Sequence, residues 1–171
     1  MMKNITDLKT VRLSDDLNAV VILDQTRLPA EECYLELSSA EEIWDAIYKL
    51  KVRGAPAIGV AAAYGIYVCS RLIQAGSFDE FYTEFHRIKN YLAGARPTAV
   101  NLVAALERME KVVLNNVSAT VPDLVELLHG EAMAIREEDA AACRRIGEYG
   151  LSLLRPGMGI LTHCNAGHLA V

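Results

Sequence analysis

At 171 residues, 52% apolar and 23% charged, the chain is long enough for one folded domain with a buried core. A net charge of −5 argues against a basic nucleic-acid surface, so we expect no nucleic-acid partner. The most apolar run, residues 55–69, spans 15 residues and contains a proline and two glycines, which predicts a buried helix and no membrane span. The four cysteines show no CxxC spacing and the N-terminus lacks the apolar core of a signal peptide, which predicts free thiols in a cytoplasmic protein.

The first part of the chain has the pattern of short strands. Residues 8–37 contain three stretches rich in Val, Leu and Ile, separated by turn-forming segments: LKTVRL, AVVILDQ and CYLEL. Their close succession predicts a small antiparallel meander. From residue 38 the apolar residues recur at helical spacing. We expect helices over residues 38–52, 56–75, 78–93, 97–115 and 122–154.

The segment after the last helix changes character. RPGMG, residues 155–159, is a break, and GILTHC, residues 159–164, has the composition of a buried strand. A buried strand followed by NAG is typical of the opening of an α/β domain. We therefore predict an α+β N-terminal domain over 1–154, built from the small antiparallel sheet and a helical bundle. Residues 155–171 are predicted to be the first strand of a truncated Rossmann-like α/β domain, so we expect the chain to be an N-terminal half.

The first candidate site is VRGAPAIG, residues 52–59. Pro56 suits the first helical position, which leaves Gly54 and Ala55 at a helix entrance with free backbone N–H groups. Arg53 adds a fork of donors, and Gly54 allows the backbone to approach a ligand closely. The pattern is typical of a phosphate site. An ordinary helix start beside an incidental arginine is the alternative.

The second candidate, GARPTAVNL at residues 94–102, again places a glycine, an arginine and a proline ahead of a predicted helix. Arg96 and Arg53 would then each precede a helix N-terminus. We expect both arginines to converge on one anion. The alternative is a turn that leaves Arg96 exposed.

The third candidate is Cys164 in LTHCNAG, directly after the predicted last strand. Ligands of open α/β sheets bind at the carboxyl ends of strands, and a thiol beside backbone N–H groups and His163 is expected to have a lowered pKa. Cys164 is therefore either a nucleophile or acid–base group, or a small buried residue. His168 lies nearby, but no fixed ligand spacing supports a metal site, and none is predicted. The remaining cysteines are interpreted as core residues: Cys33, Cys69 and Cys143.

Taken together, these segments resemble the methylthioribose-1-phosphate isomerase family. The similar stretches are LDQTRLP (23–29), VRGAPAIG (52–59), ARPTAVNL (95–102), EEDAAACRRIGEYG (137–150) and GILTHCNAGHLA (159–170). They follow the family order and span nearly the whole chain. The departure is that the family's second catalytic group, an aspartate of the C-terminal domain, has no counterpart within these 171 residues.

The resemblance implies an N-terminal sheet-and-helix domain joined to a Rossmann-like domain. It implies an aldose–ketose isomerisation of 5-methylthioribose 1-phosphate in methionine salvage, with no metal and no redox cofactor. Arg53, Gly54, Ala55 and Arg96 would bind the sugar phosphate, and Cys164 would be one of two catalytic acid–base groups. We expect the chain alone to be inactive and to form a homodimer or to pair with a separate C-terminal half.

Three other functions stay open at this point. A ribose-1,5-bisphosphate isomerase would need a second phosphate site. A regulatory subunit resembling those of translation initiation factor 2B would bind sugar phosphates or nucleotides without turnover. A noncatalytic assembly partner would need neither site. Because the apolar residues near the end of the chain need a cover, we also expect residues 158–171 to be paired, folded back or poorly ordered.

Overall fold

The computed structural model describes residues 9–163 and 167–170. Its sheet has three antiparallel strands in the order β1–β2–β3: β1 (Val11–Leu13), β2 (Val20–Leu23) and β3 (Tyr34–Leu37). Val20 pairs with Leu13 on one side and with Leu37 on the other. All four residues of β2 are buried because it is the middle strand and packs on the helices. The predicted meander is confirmed.

Five helices follow in the described residues: α1 (Ala40–Tyr48), α2 (Ala55–Ser70), α3 (Phe78–Ala93), α4 (Val100–Asn115) and α5 (Val121–Ser152). The other four all pack on α2, whose residues 57–70 are all buried. This confirms the buried helix, since a helix that is apolar all round has no face for solvent. Among residues 9–163 and 167–170, no helix combines the length and apolar content needed to cross a membrane.

The long helix α5 packs on the bundle only with its first part. Its buried residues are Leu124, Leu128 and Ala132, all within its first three to four turns. Further along, Ile146 and Tyr149 are 70% and 74% exposed. Arg108 on α4 fixes the middle of the helix by donating from Nη2 to Glu138 Oε1 at 2.8 Å.

The prediction of a buried strand at residues 159–164 is wrong for the part that the structure describes. Residues 159–163 form no strand pairing and are exposed, with Leu161 99% accessible. The physical reason is that a strand needs a partner ladder, and none of the three described strands pairs with this segment. The Rossmann-like domain that would provide such a partner stays a prediction.

Candidate functional site

The helix starts divide into two kinds. Ser39, Ser77 and Thr120 cap α1, α3 and α5, each accepting a hydrogen bond from a first-turn N–H, and each of these helices has an acidic residue in its first turn. In contrast, α2 and α4 begin after Gly54 and Ala99, without a side-chain cap and without an acidic residue in the first turn. First-turn N–H groups have no acceptor inside the helix, so α2 and α4 present unbalanced positive partial charge.

These two uncapped helix starts are neighbours. Gly59 on α2 faces Asn101, the second residue of α4, so closely that a Cβ at Gly59 would lie 3.1 Å from the Asn101 carbonyl oxygen. The glycine therefore allows the first turn of α4 to lie against the second turn of α2, about one turn from the start of α2. That the positive ends of both helices act on one anion is a prediction, which this proximity supports.

The predicted substrate-binding residues lie at these starts. Gly54 is the N-cap of α2 with φ 111°, and Ala55 is its first helical residue. Arg53 and Ala55 are exposed, and Arg96 is half-buried in the turn before α4. Cys164 lies outside the described residues. The convergence of Arg53 and Arg96 on one anion stays a prediction, which the neighbouring helix starts support.

The two segments that combine glycine, arginine and proline do not share one local structure. Pro56 lies in the first turn of α2, close to its predicted place, but Pro97 does not begin α4, which starts at Val100. The Ala99 N–H donates to the Arg96 carbonyl at 2.9 Å, which closes a turn with Pro97 at its second position. Proline is favoured there because its fixed φ suits that position of a turn.

A short 3-10 turn, His168–Ala170, packs against the entrance of α2. A Cβ at Gly54 would lie 2.6 Å from the Ala170 Cα, so only glycine permits this contact. Gln25 reaches the same place, since its Nε2 donates to the Leu169 carbonyl at 2.8 Å and to the Arg53 carbonyl at 3.2 Å. Sequence reasoning missed Gln25, although it lies within the LDQTRLP stretch that carries part of the resemblance.

A cavity of about 930 Å³ lies beside the candidate site, between β1, α2 and α5. Burial raises the pKa of Asp139, which lines it, above its ordinary value. His168 also lines the cavity, so the cavity and the turn over α2 adjoin. The other polar residues that line it are Lys9, Thr10, Arg12, Ser14, Asp15, Tyr64, His129, Arg136 and Arg144.

Among the cysteines that the structure describes, only Cys69 lies in the core. Cys69 is buried as predicted, and burial raises its pKa to about 12, which keeps it protonated at neutral pH. The core assignment is wrong for Cys143, which is exposed on the projecting part of α5, and Cys33 is only half-buried. Composition alone did not show where α5 leaves the bundle.

The fold is that of an α+β domain whose adjoining uncapped helix starts favour an anionic ligand. A family model matches residues 51–171, and the chain belongs to the initiation factor 2 subunit family, which that model describes.

Curated relatives share about half of their length with this chain. It is 68% identical over 161 residues to a methylthioribose-1-phosphate isomerase of Parabacteroides distasonis, covering 94% of this chain and 48% of the relative. A second protein of that name, from Symbiobacterium thermophilum, is 57% identical over 95% of this chain and 45% of its own length. A 5-deoxyribose 1-phosphate isomerase of Petrotoga mobilis is 51% identical over 94% of this chain and 46% of its own length.

Two solved structures are similar in fold. The 5-methylthioribose 1-phosphate isomerase of Pyrococcus horikoshii superposes with a TM-score of 0.89 at 39% identity, over 97% of this chain and 46% of that one. The delta subunit of translation initiation factor eIF-2B from A. fulgidus superposes with a TM-score of 0.84 at 40% identity, over 96% of this chain and 47% of that one. The fold is therefore shared by an enzyme and a translation factor subunit.

Proposed function

We propose that this chain supplies the phosphate-binding part of the active site of a sugar-1-phosphate isomerase. The observation that carries the proposal is that α2 and α4, alone among the five described helices, begin without a side-chain cap, and that their starts adjoin. Relative to a serine or threonine cap, Ala99 costs α4 about 1 kcal/mol, whereas Gly54 costs α2 only a few tenths of a kcal/mol. In this proposal a bound phosphate accepts hydrogen bonds from the uncapped N–H groups of both helices.

In this proposal Arg53 and Arg96 bind phosphate oxygens through charge-assisted hydrogen bonds, while the N–H groups of Gly54 and Ala55 bind others. The reaction then needs two further groups. When the sugar ring of an aldose 1-phosphate opens, its ring oxygen gains a proton. As the hydrogen on C2 moves to C1, the C2 hydroxyl loses its proton and becomes the ketone. One group must therefore donate a proton to the ring oxygen, and another must accept the proton of the C2 hydroxyl.

We assign one of these two roles to Cys164, by its resemblance to the isomerase family. The second role falls to an aspartate in the half of the relatives that this chain does not cover. Loss of one such group costs about 100- to 10,000-fold in rate, and loss of substrate positioning adds to this. The 171-residue chain by itself is therefore expected to show no turnover.

We propose 5-methylthioribose 1-phosphate as the substrate, which places the reaction in methionine salvage. The relatives with that name are 68% and 57% identical, whereas the 5-deoxyribose 1-phosphate isomerase from Petrotoga mobilis is 51% identical. The two sugars differ only in the substituent at C5. Comparing kcat/KM for both sugar phosphates therefore decides between these substrates.

The test is a reconstitution. This chain is mixed with a recombinant C-terminal half of the Parabacteroides distasonis relative, and conversion of each sugar phosphate is followed by ³¹P NMR. We expect turnover only in the mixture, and we expect Arg53→Ala and Arg96→Ala to lower it. The control is Arg87→Ala, which removes an arginine bound to Glu84 on α3. Turnover that is unchanged in both site variants would contradict the proposal.

The similarity to the A. fulgidus translation factor subunit supports a second candidate, a regulatory subunit that binds a sugar phosphate without converting it. The same experiment separates the two. Binding that depends on Arg53, without turnover in any mixture, would favour the regulatory function.

A further inference from the structure

We propose that Gln25 is a positioning residue, which ties the segment after Cys164 to the loop before α2. The carboxamide nitrogen of Gln25 lies 2.8 Å from the Leu169 carbonyl oxygen and 3.2 Å from the Arg53 carbonyl oxygen. Carbonyl oxygens only accept hydrogen bonds, so the nitrogen and not Oε1 must face them. Both hydrogens of one amide group are therefore used, one for each segment.

Gln25 is itself held in place. Its backbone N–H donates to the Lys51 carbonyl at 2.9 Å, which fastens it to the loop that leads into α2. The preceding residue, Asp24, is buried, and its carboxylate accepts from the Thr26 hydroxyl at 2.6 Å and the Thr26 N–H at 3.0 Å. The turn after β2 is thus a fixed support from which the amide reaches across to residues 167–170.

A second contact joins the same two segments. Ala170 packs on Gly54 at a distance that leaves no room for a Cβ, directly beside the pair of carbonyl groups that Gln25 binds. Arg53 and Gly54 belong to the proposed phosphate site, and Cys164 precedes residues 167–170 by three positions. If the proposed function holds, Gln25 sets the distance between phosphate and acid–base group, and misplacement by about 1 Å costs on the order of 100-fold in rate.

Hydrogen–deuterium exchange measured by mass spectrometry on the 171-residue chain tests this without any turnover. Gln25→Met keeps the length of the side chain and removes both donors. We expect amides in the peptide covering residues 167–170 to exchange roughly 5- to 30-fold faster, while peptides from residues 57–69 are unchanged. Gln74→Met, at an exposed glutamine between α2 and α3, is the matched control and should change neither peptide.

Gln25→Glu adds a readout that a purely structural role would not give. At neutral pH its carboxylate has no donor and faces two carbonyl oxygens, so exchange of residues 167–170 should be fast. Below about pH 4.3 the protonated acid donates one hydrogen bond. The exchange rate of residues 167–170 in the variant should then come closer to the wild-type rate at the same pH. Exchange at wild-type rates in both Gln25 variants would overturn the inference, as would equal acceleration in residues 57–69.

The reconstituted isomerase gives the corresponding kinetic test. Because Gln25 acts through the segments it joins, Gln25→Met should lower kcat about 10- to 100-fold and change KM less than about threefold. A rise in KM with kcat unchanged would overturn the positioning role. An inactive wild-type mixture would count against the proposed function alone, because the exchange experiment still decides the role of Gln25.

Discussion

Ala99→Ser would give α4 the cap that it lacks. Ala99 is the N-cap of α4, with the extended backbone (φ −81°, ψ 95°) from which a serine hydroxyl can accept a first-turn N–H. Ser77 does this on α3, where its Oγ accepts from Glu80 N at 3.3 Å. The gain is about 0.5–2 kcal/mol, and each kcal/mol raises Tm by about 2–4 °C in a chain of this size.

The same substitution should weaken the response to phosphate. If an anion uses the N–H groups at the start of α4, the new hydroxyl competes for them. In thermal unfolding followed by circular dichroism, at rising inorganic phosphate and constant ionic strength, wild type should gain more in Tm than Ala99→Ser. Ser77→Ala is the control, because it should lose about 1 kcal/mol and keep the full phosphate response. An undiminished phosphate response in a stabilised Ala99→Ser would refute the use of α4 in the site.

Two further predictions concern the domain itself. Gly65→Ala should destabilise the fold by about 1–3 kcal/mol in urea unfolding, because the new Cβ would lie 2.8 Å from Ile43 Cγ2. At Gly130 a Cβ would meet nothing within 4 Å, so Gly130→Ala should stabilise the fold by about 0.5–1 kcal/mol. Equal effects at both sites would show that packing against α1 is not the cause. Burial raises the pKa of Glu110, but hydrogen bonds, the first of them from Lys89, lower that pKa overall. The ionised Glu110 therefore stabilises the fold above the usual glutamate pKa. This stabilisation is lost as the pH falls through the lowered pKa. Glu110→Gln should flatten that acidic part of the Tm–pH curve, and an unchanged curve would contradict this.

Much of the fold could be predicted because the signals are local. The uniform apolar content of residues 55–69 predicts a buried helix, and α2 is one. Pro97 shows the limit of such signals, since the fixed φ of proline suits both a helix start and the second position of a turn. The strand expected at residues 159–164 is absent over 159–163, the part that the structure describes. An apolar composition indicates that a segment needs burial, but strand pairing depends on a partner elsewhere in the chain.

The candidate site was predictable only in part for the same reason. The combination of glycine, arginine and proline pointed to the starts of α2 and α4. A comparison of N-cap residues would have shown that Gly54 and Ala99 differ from the serine and threonine caps. No local sequence pattern indicated the contacts of Gln25. Its side chain reaches a carbonyl 144 residues away in the sequence, and only the folded chain brings the two together.

The most direct test of the shared phosphate site is calorimetric titration of 5-methylthioribose 1-phosphate into wild type, Arg53→Ala, Arg96→Ala and the double variant, with Arg87→Ala as control. We predict that each single variant weakens binding by about 10- to 100-fold and that the control does not. Since both arginines bind one phosphate, the double variant should lose less than the sum of the two free-energy changes. Failure of wild type to bind, or wild-type affinity in both single variants, would contradict the account.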